Sequence, residues 1–193
     1  MKRKRKRNSG CGLILITAAA VLIAFLLPRA VRSFRFPVHY EAEIRSAAGV
    51  YGIPPALIAA IVNTESGYDR FAESSAGALG LMQILPSTGE WIHNKLMRQE
   101  AFHDDLLFDA ETSLAYGTWY MNFLLDRYDG EMNAAIAAYH AGQGNVDKWL
   151  KNPDYSKDGM TITHFPDTAG ATEHYVQKVR NAYEYYTKAY KNR

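Results

Sequence analysis

The chain has 193 residues, 48% of them hydrophobic, with 22 Lys and Arg against 20 Asp and Glu. Nine basic residues and no acidic residue precede Phe36, which leaves 13 basic and 20 acidic side chains beyond it, a net charge of −7. A domain of that sign is a poor partner for nucleic acid, because neutralisation of phosphates dominates such binding. The single cysteine, Cys11, excludes an internal disulfide, so the domain is held together by its core.

The N-terminus combines a basic start with an apolar run. Residues 2–7 are all Lys or Arg, and residues 10–27 carry no charge. At 1.5 Å per residue this run spans about 27 Å, close to the thickness of a hydrocarbon core. We therefore expect a basic cytoplasmic segment at 1–9 and a transmembrane signal anchor at 10–28. Because positive residues stay inside, the rest of the chain is expected on the extracytoplasmic side of the membrane.

A cleavable signal peptide is the alternative for this segment, since it has the same basic start and apolar middle. The run is longer than a usual apolar region of roughly 7 to 15 residues, and residues 27–30 lack a small-x-small cleavage site. Cys11 stands at the start of the run, unlike a lipoprotein cysteine, although acylation there stays open. After the anchor we expect a tether at 29–38 and a single-core domain at 39–193.

Within that domain the hydrophobic periodicity is helical, and no long alternating strand pattern occurs. The predicted helices cover 40–51, 55–65, 86–97, 111–128, 132–140, a short stretch around Trp149, and 172–190. Residues 151–170 are rich in Pro, Gly, Asp and Thr, which predicts an irregular loop. The sequence therefore indicates a mainly α fold.

Glu65 ends the second of these helices. The apolar residues from Leu57 to Val62 form an i, i+3, i+4 stripe, and Glu65 is the next position on it. An acid held against apolar surface resists ionisation and can donate a proton near neutral pH. Helical phase alone also allows a plain polar residue at a helix end, so both interpretations stand at this point.

The segment after Glu65 breaks regular structure. Ser74, Gly77 and Gly80 lie in a stretch that is too apolar for a plain surface linker. Glycines let backbone approach a ligand closely, and the amide of Gln83 brings a donor and an acceptor to the same place. These features favour a binding site next to the carboxylate.

Three motifs in order resemble the soluble-lytic-transglycosylase-like (SLT) family. The residues Glu65–Tyr68 and Ala76–Gln83 look like its ES and GLMQ motifs, Ala138–Gly142 is similar to its AYNAG segment, and Tyr175–Val179 resembles its closing YVxKV motif. The resemblance covers essentially all of 40–190. In one departure, His140 stands where the family usually has Asn, and offers a ring nitrogen that can be charged at mildly acidic pH. In another, residues 171–173 differ from the family's usual sequence before Tyr175.

The resemblance implies a lysozyme-like, mainly α domain that cleaves the β-1,4 bond between N-acetylmuramic acid and N-acetylglucosamine in peptidoglycan and leaves a 1,6-anhydromuramic end. It assigns Glu65 as acid and then base, with no metal and no cofactor. The residues it implies for substrate binding are Ser66, Ser74, Gly80, Met82, Gln83, Tyr139, His140 and Tyr175. Ser66 is expected to orient the carboxyl group, and Tyr139 and Tyr175 to offer it hydroxyl partners. The expected partners are glycan strands, the membrane, and an unidentified protein.

Two alternatives remain from the residues themselves. A hydrolytic muramidase needs a second carboxylate, about 5 to 5.5 Å from the acid if the enzyme is retaining and about 6.5 to 9.5 Å if it is inverting. Asp69 and Glu73 are the nearest carboxylates in sequence. Helical phase does not direct either of them toward Glu65. A glycan-binding scaffold domain without activity is the second alternative. The six histidines show no HExxH-like spacing and are expected to be surface or internally hydrogen-bonded residues.

Overall fold

The structure is a computed structural model that describes residues 21–24, 26–27, 31 and 35–191. The chain divides into two compact units between Pro37 and Val38. In the first unit, the described residues up to Arg35 are helical. The expected anchor at 10–28 lies largely outside the described residues. Among those that are described, no helix has the length and apolar character needed to cross a membrane.

The second unit is built from α-helices joined by turns. In chain order its described helices are α1 (Glu41–Tyr51), α2 (Pro55–Glu65), α3 (Pro86–Lys95), α4 (Ala110–Arg127), α5 (Met132–Ala141), α6 (Gln143–Lys151) and α7 (Gly170–Lys191). Short 3₁₀ helices occupy Asp104–Phe108 and Asp167–Ala169. Extended pairing in the described part is limited to isolated bridges, from Leu79 to Glu73 and to Ile84.

This architecture confirms the predicted mainly α fold. Most of the predicted helices begin and end within two residues of the observed bounds, and 151–170 is irregular as expected, apart from one 3₁₀ turn. Two helix limits follow from local chemistry. Gly52 adopts the left-handed conformation that ends α1, and Pro55 occupies the first turn of α2, where its missing N–H costs nothing. The helix around Trp149 begins earlier than expected, at Gln143.

Helix α2 is the centre of the core. Every residue from Ala56 to Val62 is buried, so the helix is apolar on all sides. Its most extensive partner is α7, whose long buried stripe faces it. That stripe comprises Thr172, Tyr175, Val176, Val179, Ala182 and Tyr186. Packing α2 against α7 brings the last residue of α2 next to the first turns of α7.

Helix α5 lies between α4, α6 and α7. Its alanines keep it thin, and residues Ala134 to Ala138 are completely buried. Its start is fixed by Glu131, whose carboxylate accepts a hydrogen bond of 2.6 Å from the backbone N–H of Ala134. The thin helix lets its neighbours approach closely, so the C-terminal end of α5 reaches the end of α2.

The turn segment at 66–85 is fixed to the core by hydrogen bonds and by close packing. The hydroxyl of Ser66 donates to the carbonyl of Leu81 over 2.9 Å, and the N–H of Gly80 donates to the carbonyl of Ala72 over 2.9 Å. Gly80 has a positive φ of 75°, and a Cβ at this position would overlap the carbonyl oxygen of Leu107. The 3₁₀ helix at Asp104–Phe108 therefore forms the rear support of this segment.

Candidate active site

Glu65 and Tyr175 meet where α2 and α7 pack together. The hydroxyl of Tyr175 donates a hydrogen bond of 2.5 Å to Oε1 of Glu65. The other oxygen, Oε2, has no hydrogen-bond partner among the described residues. One oxygen of the carboxyl group is thus held by the protein and the other is left for a ligand.

Burial controls the ionisation of this carboxyl group. Desolvation raises the pKa of Glu65 from 4.5 to about 7, against the opposing effect of the Tyr175 hydrogen bond, which favours the ionised form. The position of Glu65 as the last residue of α2 acts in the same direction as burial, because the C-terminal end of a helix carries partial negative charge. Near neutral pH both forms of Glu65 are therefore populated.

Tyr139 lies close to Glu65 but bonds elsewhere. Its hydroxyl donates to the carbonyl of Met82 over 2.9 Å, and its ring leans on that of Tyr120, with 5.4 Å between the centroids. Burial, together with the nearby Glu65 carboxylate, raises the pKa of Tyr139 well above its ordinary value. The predicted hydroxyl pair at Glu65 is thus supplied by Tyr175 alone, whereas Tyr139 ties α5 to the turn segment.

His140 stacks on Tyr175 at the mouth of the site. The ring centroids are 4.6 Å apart with an interplanar angle of 28°, and Nδ1 lies 3.1 Å from the hydroxyl oxygen of Thr172. The Thr172 side chain is buried and has no other acceptor among the described residues, so we assign its O–H as donor to Nδ1. Nε2 then carries the hydrogen. Desolvation lowers the pKa of His140, which keeps the ring neutral at neutral pH.

Ser74 and Gln83 line the opposite wall of the site. The Ser74 hydroxyl accepts a hydrogen bond of 3.0 Å from the N–H of Ala78, which closes a tight turn. The amide nitrogen of Gln83 donates to the carbonyls of Ala72 and Gly80, each over 3.0 Å. Since its nitrogen is used internally, the Gln83 side chain has only its oxygen available to a ligand.

Four of the residues predicted to bind substrate do not line the cleft: Tyr175, whose hydroxyl holds Glu65, and Ser66, Gly80 and Met82, which have internal contacts. The Ser66 hydroxyl is hydrogen-bonded to the carbonyls of Val62 and Leu81, and it has no hydrogen bond to Glu65. Gly80 packs against the 3₁₀ helix, with its N–H and carbonyl both engaged. Met82 is completely buried. In this structure Ser66, Gly80 and Met82 shape the turn segment, and their contact with substrate stays a prediction.

The residues around Glu65 enclose an open cleft of about 430 Å³. It is lined by Glu65, Ser74, Ala76, Ala78, Gln83, Ile84, Leu85, Thr88, Tyr120, Tyr139, His140, Ala141 and Gly142. Glu65 is the sole carboxylate in this lining, and neither Asp69 nor Glu73 belongs to it. The described residues contain no group of three or more His, Cys, Asp or Glu side chains that could hold a metal ion.

Tyr120 is the main lining residue that sequence reasoning missed. It follows Trp119 and precedes Phe123 in an aromatic-rich helix, where periodicity does not distinguish a cleft residue from a core residue. Its tilted contact with the ring of Tyr139 places it in the cleft. Tyr120 and Tyr139 belong to different helices, so no local pattern in the sequence predicts their contact.

Comparison with known proteins agrees with this geometry. The family model of the transglycosylase SLT domain matches residues 43–161, well over half of the chain. The chain therefore belongs to the SLT family, and its second unit has the family's lysozyme-like, mainly α fold. The match leaves out α7, which supplies Tyr175.

Curated relatives are named lytic murein transglycosylases. The chain is 29% identical to membrane-bound lytic murein transglycosylase C of Serratia proteamaculans, over 94% of this chain and 54% of the relative. It is 30% identical to soluble lytic murein transglycosylase of Escherichia coli K12, over 79% of this chain and 23% of the relative. The chain thus spans about half or less of the length of these two relatives.

Solved structures show the same fold. The 70-kDa soluble lytic transglycosylase of Escherichia coli superimposes with a TM-score of 0.70 at 27% identity, over 82% of this chain and 25% of that one. A complex of the 70-kDa soluble lytic transglycosylase with bulgecin A gives a TM-score of 0.71 at 26% identity, over 84% of this chain and 26% of that one. An inactive glutamate-to-glutamine mutant of lytic transglycosylase Slt from Pseudomonas aeruginosa gives a TM-score of 0.70 at 26% identity, over 82% of this chain and 25% of that one.

Proposed function

We propose that this chain is a peptidoglycan lytic transglycosylase. It cleaves the β-1,4 bond between N-acetylmuramic acid and N-acetylglucosamine and leaves a 1,6-anhydromuramic end. The observation that carries the proposal is the single carboxylate of the cleft: Glu65 is half-buried, has a pKa of about 7 and keeps one oxygen free. The names of the relatives as lytic murein transglycosylases support the same activity.

The proposed reaction uses Glu65 twice. Protonated Glu65 first donates its proton to the leaving glycosidic oxygen as the C1–O bond breaks. The carboxylate then takes the proton of the muramyl C6 hydroxyl, whose oxygen forms the new bond to C1 and closes the anhydro ring. A pKa near 7 suits both steps, because neither form of the acid is rare. The proton returns to Glu65, so the carboxyl group ends as it began.

The surrounding groups are proposed to hold the substrate rather than react. Tyr175 fixes Oε1 and leaves Oε2 to face the bond. The Gln83 oxygen is an acceptor for the N–H of an N-acetyl group, and the His140 Nε2–H is a donor for its carbonyl oxygen. The substrate's own acetamido group stabilises the oxocarbenium-like centre, which removes the need for a second carboxylate.

The test is the chemical form of the products. Wild-type protein and Glu65→Gln are incubated with purified peptidoglycan, and the soluble fragments are analysed by mass spectrometry. We expect 1,6-anhydro ends from the wild type and a loss of roughly a thousandfold in rate for Glu65→Gln, within the usual contribution of acid–base catalysis. Asp69→Asn and Glu73→Gln are matched controls, since both remove a nearby carboxylate outside the cleft.

Each alternative predicts a different product. Reducing muramic ends without the anhydro form would establish a hydrolytic muramidase and overturn the transglycosylase proposal. If the wild type releases no fragments, and Glu65→Gln changes neither release nor glycan binding, the domain is a glycan-binding scaffold.

We also propose that residues 10–28 anchor the chain in the bacterial cell membrane, with 1–9 in the cytoplasm, 29–38 as a tether and 39–193 outside. The charge pattern of the sequence supports this topology, and the name of the membrane-bound relative supports association with a membrane. Protease treatment of intact spheroplasts tests it. Digestion of the domain without lysis is expected, and protection of the domain would contradict the topology.

A further inference from the structure

Thr172 uses its hydroxyl differently from two other helical threonines. The hydroxyls of Thr64 and Thr187 each donate over 2.8 Å to the backbone carbonyl four residues earlier in the same helix. Thr172 lies in the first turn of α7, which begins at Gly170, so no carbonyl of the helix stands four residues before it. The Thr172 side chain is buried, and its hydroxyl has Nδ1 of His140 as partner at 3.1 Å. The hydroxyl proton is therefore directed away from its own helix, toward α5.

This contact assigns the hydrogen of the His140 ring. If Nδ1 carried the hydrogen, it would donate to the Thr172 oxygen, and the proton of that buried hydroxyl would have no acceptor among the described residues. Because a buried donor without a partner costs free energy, the arrangement in which the hydroxyl donates to Nδ1 is favoured by roughly tenfold. Nε2 is then the nitrogen that carries the hydrogen.

The Nε2 side of the ring is available to a ligand. His140 is exposed and lines the cleft, and its Nε2 makes no hydrogen bond to a described residue. With Nδ1 occupied by Thr172, the neutral ring offers a ligand one donor and no acceptor. Asn, the family's usual residue at this position, has an amide that offers both. The histidine therefore makes the cleft of this chain selective for acceptors.

We propose that Thr172 is a positioning residue that sets the substrate preference of the cleft through His140, so that strands with N-acetylated sugars are preferred over strands with free amino groups. The inference rests on the proposed function for its choice of substrate. The carbonyl oxygen of an N-acetyl group accepts the Nε2–H bond, whereas an amino group in the same place is a second donor. Two donors that face each other both lose their hydrogen bonds, which penalises the de-N-acetylated strand.

The experiment compares the binding of fully N-acetylated and chemically de-N-acetylated glycan strands, both free of peptide. The full chain carries Glu65→Gln in every sample, so the strands stay whole and the cleft lining has no carboxylate to attract amino groups. Titration calorimetry at neutral pH gives Kd with and without Thr172→Val, which removes the hydroxyl and nearly keeps the shape. Nδ1 is then able to carry the hydrogen and Nε2 to accept. We expect about fivefold tighter binding of de-N-acetylated strands and a change within about twofold for N-acetylated strands.

Thr172→Ser is the matched control, because it keeps the hydroxyl, and we expect both of its Kd values to stay within about twofold of the parent values. Weaker binding of both strands by Thr172→Val would make Thr172 purely structural and overturn the proposal. Unchanged binding of both strands, or the same change in Thr172→Ser as in Thr172→Val, would also overturn it. A gain in affinity for one kind of strand does not arise from damage to the fold.

Nitrogen-15 NMR of the His140 ring measures the position of the hydrogen directly, with His140→Asn used to assign its signals. We expect Nε2–H in the wild type and in Thr172→Ser, and a mixture of both tautomers in Thr172→Val. A wild-type ring that carries its hydrogen on Nδ1 would reject the inference. Neither the NMR nor the calorimetry needs turnover. If the wild type forms no anhydro ends, the proposed function fails, and these two measurements still decide the role of Thr172.

Discussion

Tyr175 and Tyr116 are two of the tyrosines whose hydroxyls bond a titratable side chain, and their pairs with Glu65 and His93 differ in one respect. Tyr175 donates to Glu65 over 2.5 Å, and the second carboxyl oxygen has no partner among the described residues. His93 has Tyr116 at 2.7 Å from Nδ1 and the carbonyl of Glu100 at 2.6 Å from Nε2. Because a carbonyl only accepts, Nε2–H donates to it and Nδ1 accepts from Tyr116.

The two pairs also border depressions of similar size, about 430 Å³ at Glu65 and 340 Å³ at His93. The depression at His93 has the more charged lining, with Arg98, Glu100 and Glu111 among its residues. Size and charge therefore do not identify the reactive site. What differs is that the hydrogen-bonding capacity of His93 is used up inside the protein, whereas Glu65 keeps an oxygen for a ligand.

The pH dependence of stability gives the strongest test of this contrast. The pKa of Glu65 rises from 4.5 in the unfolded chain to about 7 in the fold. Between these values the folded state binds more protons, so its stability falls as pH rises, and above about pH 7 the full cost of about 3 kcal/mol is present. Glu65→Gln removes the titration. We expect it to be more stable than the wild type by about this amount near pH 8 and by little below about pH 5.

Urea denaturation of both proteins across that pH range supplies the measurement. Parallel stability curves for Glu65→Gln and the wild type would show that Glu65 ionises normally in the fold, and the contrast with His93 would lose its basis.

Tyr175→Phe tests the hydrogen bond itself. The variant loses a donor to a carboxylate, so we expect kcat/KM to fall roughly tenfold to a hundredfold. Because this bond favours the ionised form, its loss raises the pKa of Glu65 further, and the alkaline limb of the pH–rate profile moves to higher pH. Tyr139→Phe is the control, since its hydroxyl bonds Met82 and its loss leaves the limb in place.

Tyr116→Phe makes the corresponding change at His93. It leaves the buried Nδ1 of His93 without a donor, which is expected to cost about 1 to 2 kcal/mol in the free energy of unfolding. We expect kcat/KM on peptidoglycan to stay unchanged. If Tyr116→Phe is fully folded and its kcat/KM still falls, the two depressions are coupled and the His93 pair is not purely structural.

The smallest effect is expected at His140. His140→Asn restores the family's usual residue and keeps a donor, but it loses the stacking on Tyr175. We expect KM to change by less than about threefold with kcat unchanged. His140→Ala, which removes the donor as well, is expected to raise KM further. A large drop in kcat for His140→Asn would show that the ring positions Tyr175 against Glu65.

The helices were predictable because individual residues in the local sequence determine where they begin and end. Gly52 and Pro55 mark the boundary between α1 and α2, and the run from Met132 to Ala141 has the alanines and length of a buried helix. The 3₁₀ helix at Asp104–Phe108 was missed, because five residues are too few to show a period. Short elements of this kind depend on tertiary contacts for their existence.

The site was predictable only in part. Helical phase placed Glu65 on an apolar stripe, but α2 is buried all round, so phase alone does not single out this residue. Its contact with Tyr175, 110 positions away, was expected from the family motifs and from no local pattern. Gly80 was expected near a ligand because of its flexibility, and the structure packs it against Leu107. A glycine kept for packing and one kept for binding look the same in a sequence.

The tight fit at Gly80 bears on how the protein can be redesigned. Any side chain there collides with the carbonyl of Leu107, and one at Gly117 collides with Met82, so both sides of the turn segment are closed to variation. Residues 140 and 141 on the facing wall are exposed or half-exposed and carry no such restriction, whereas Gly142 has a positive φ of 82° that favours glycine. A library intended to alter glycan preference therefore belongs at residues 140 and 141, with Gly142 and residues 80–83 left as they are.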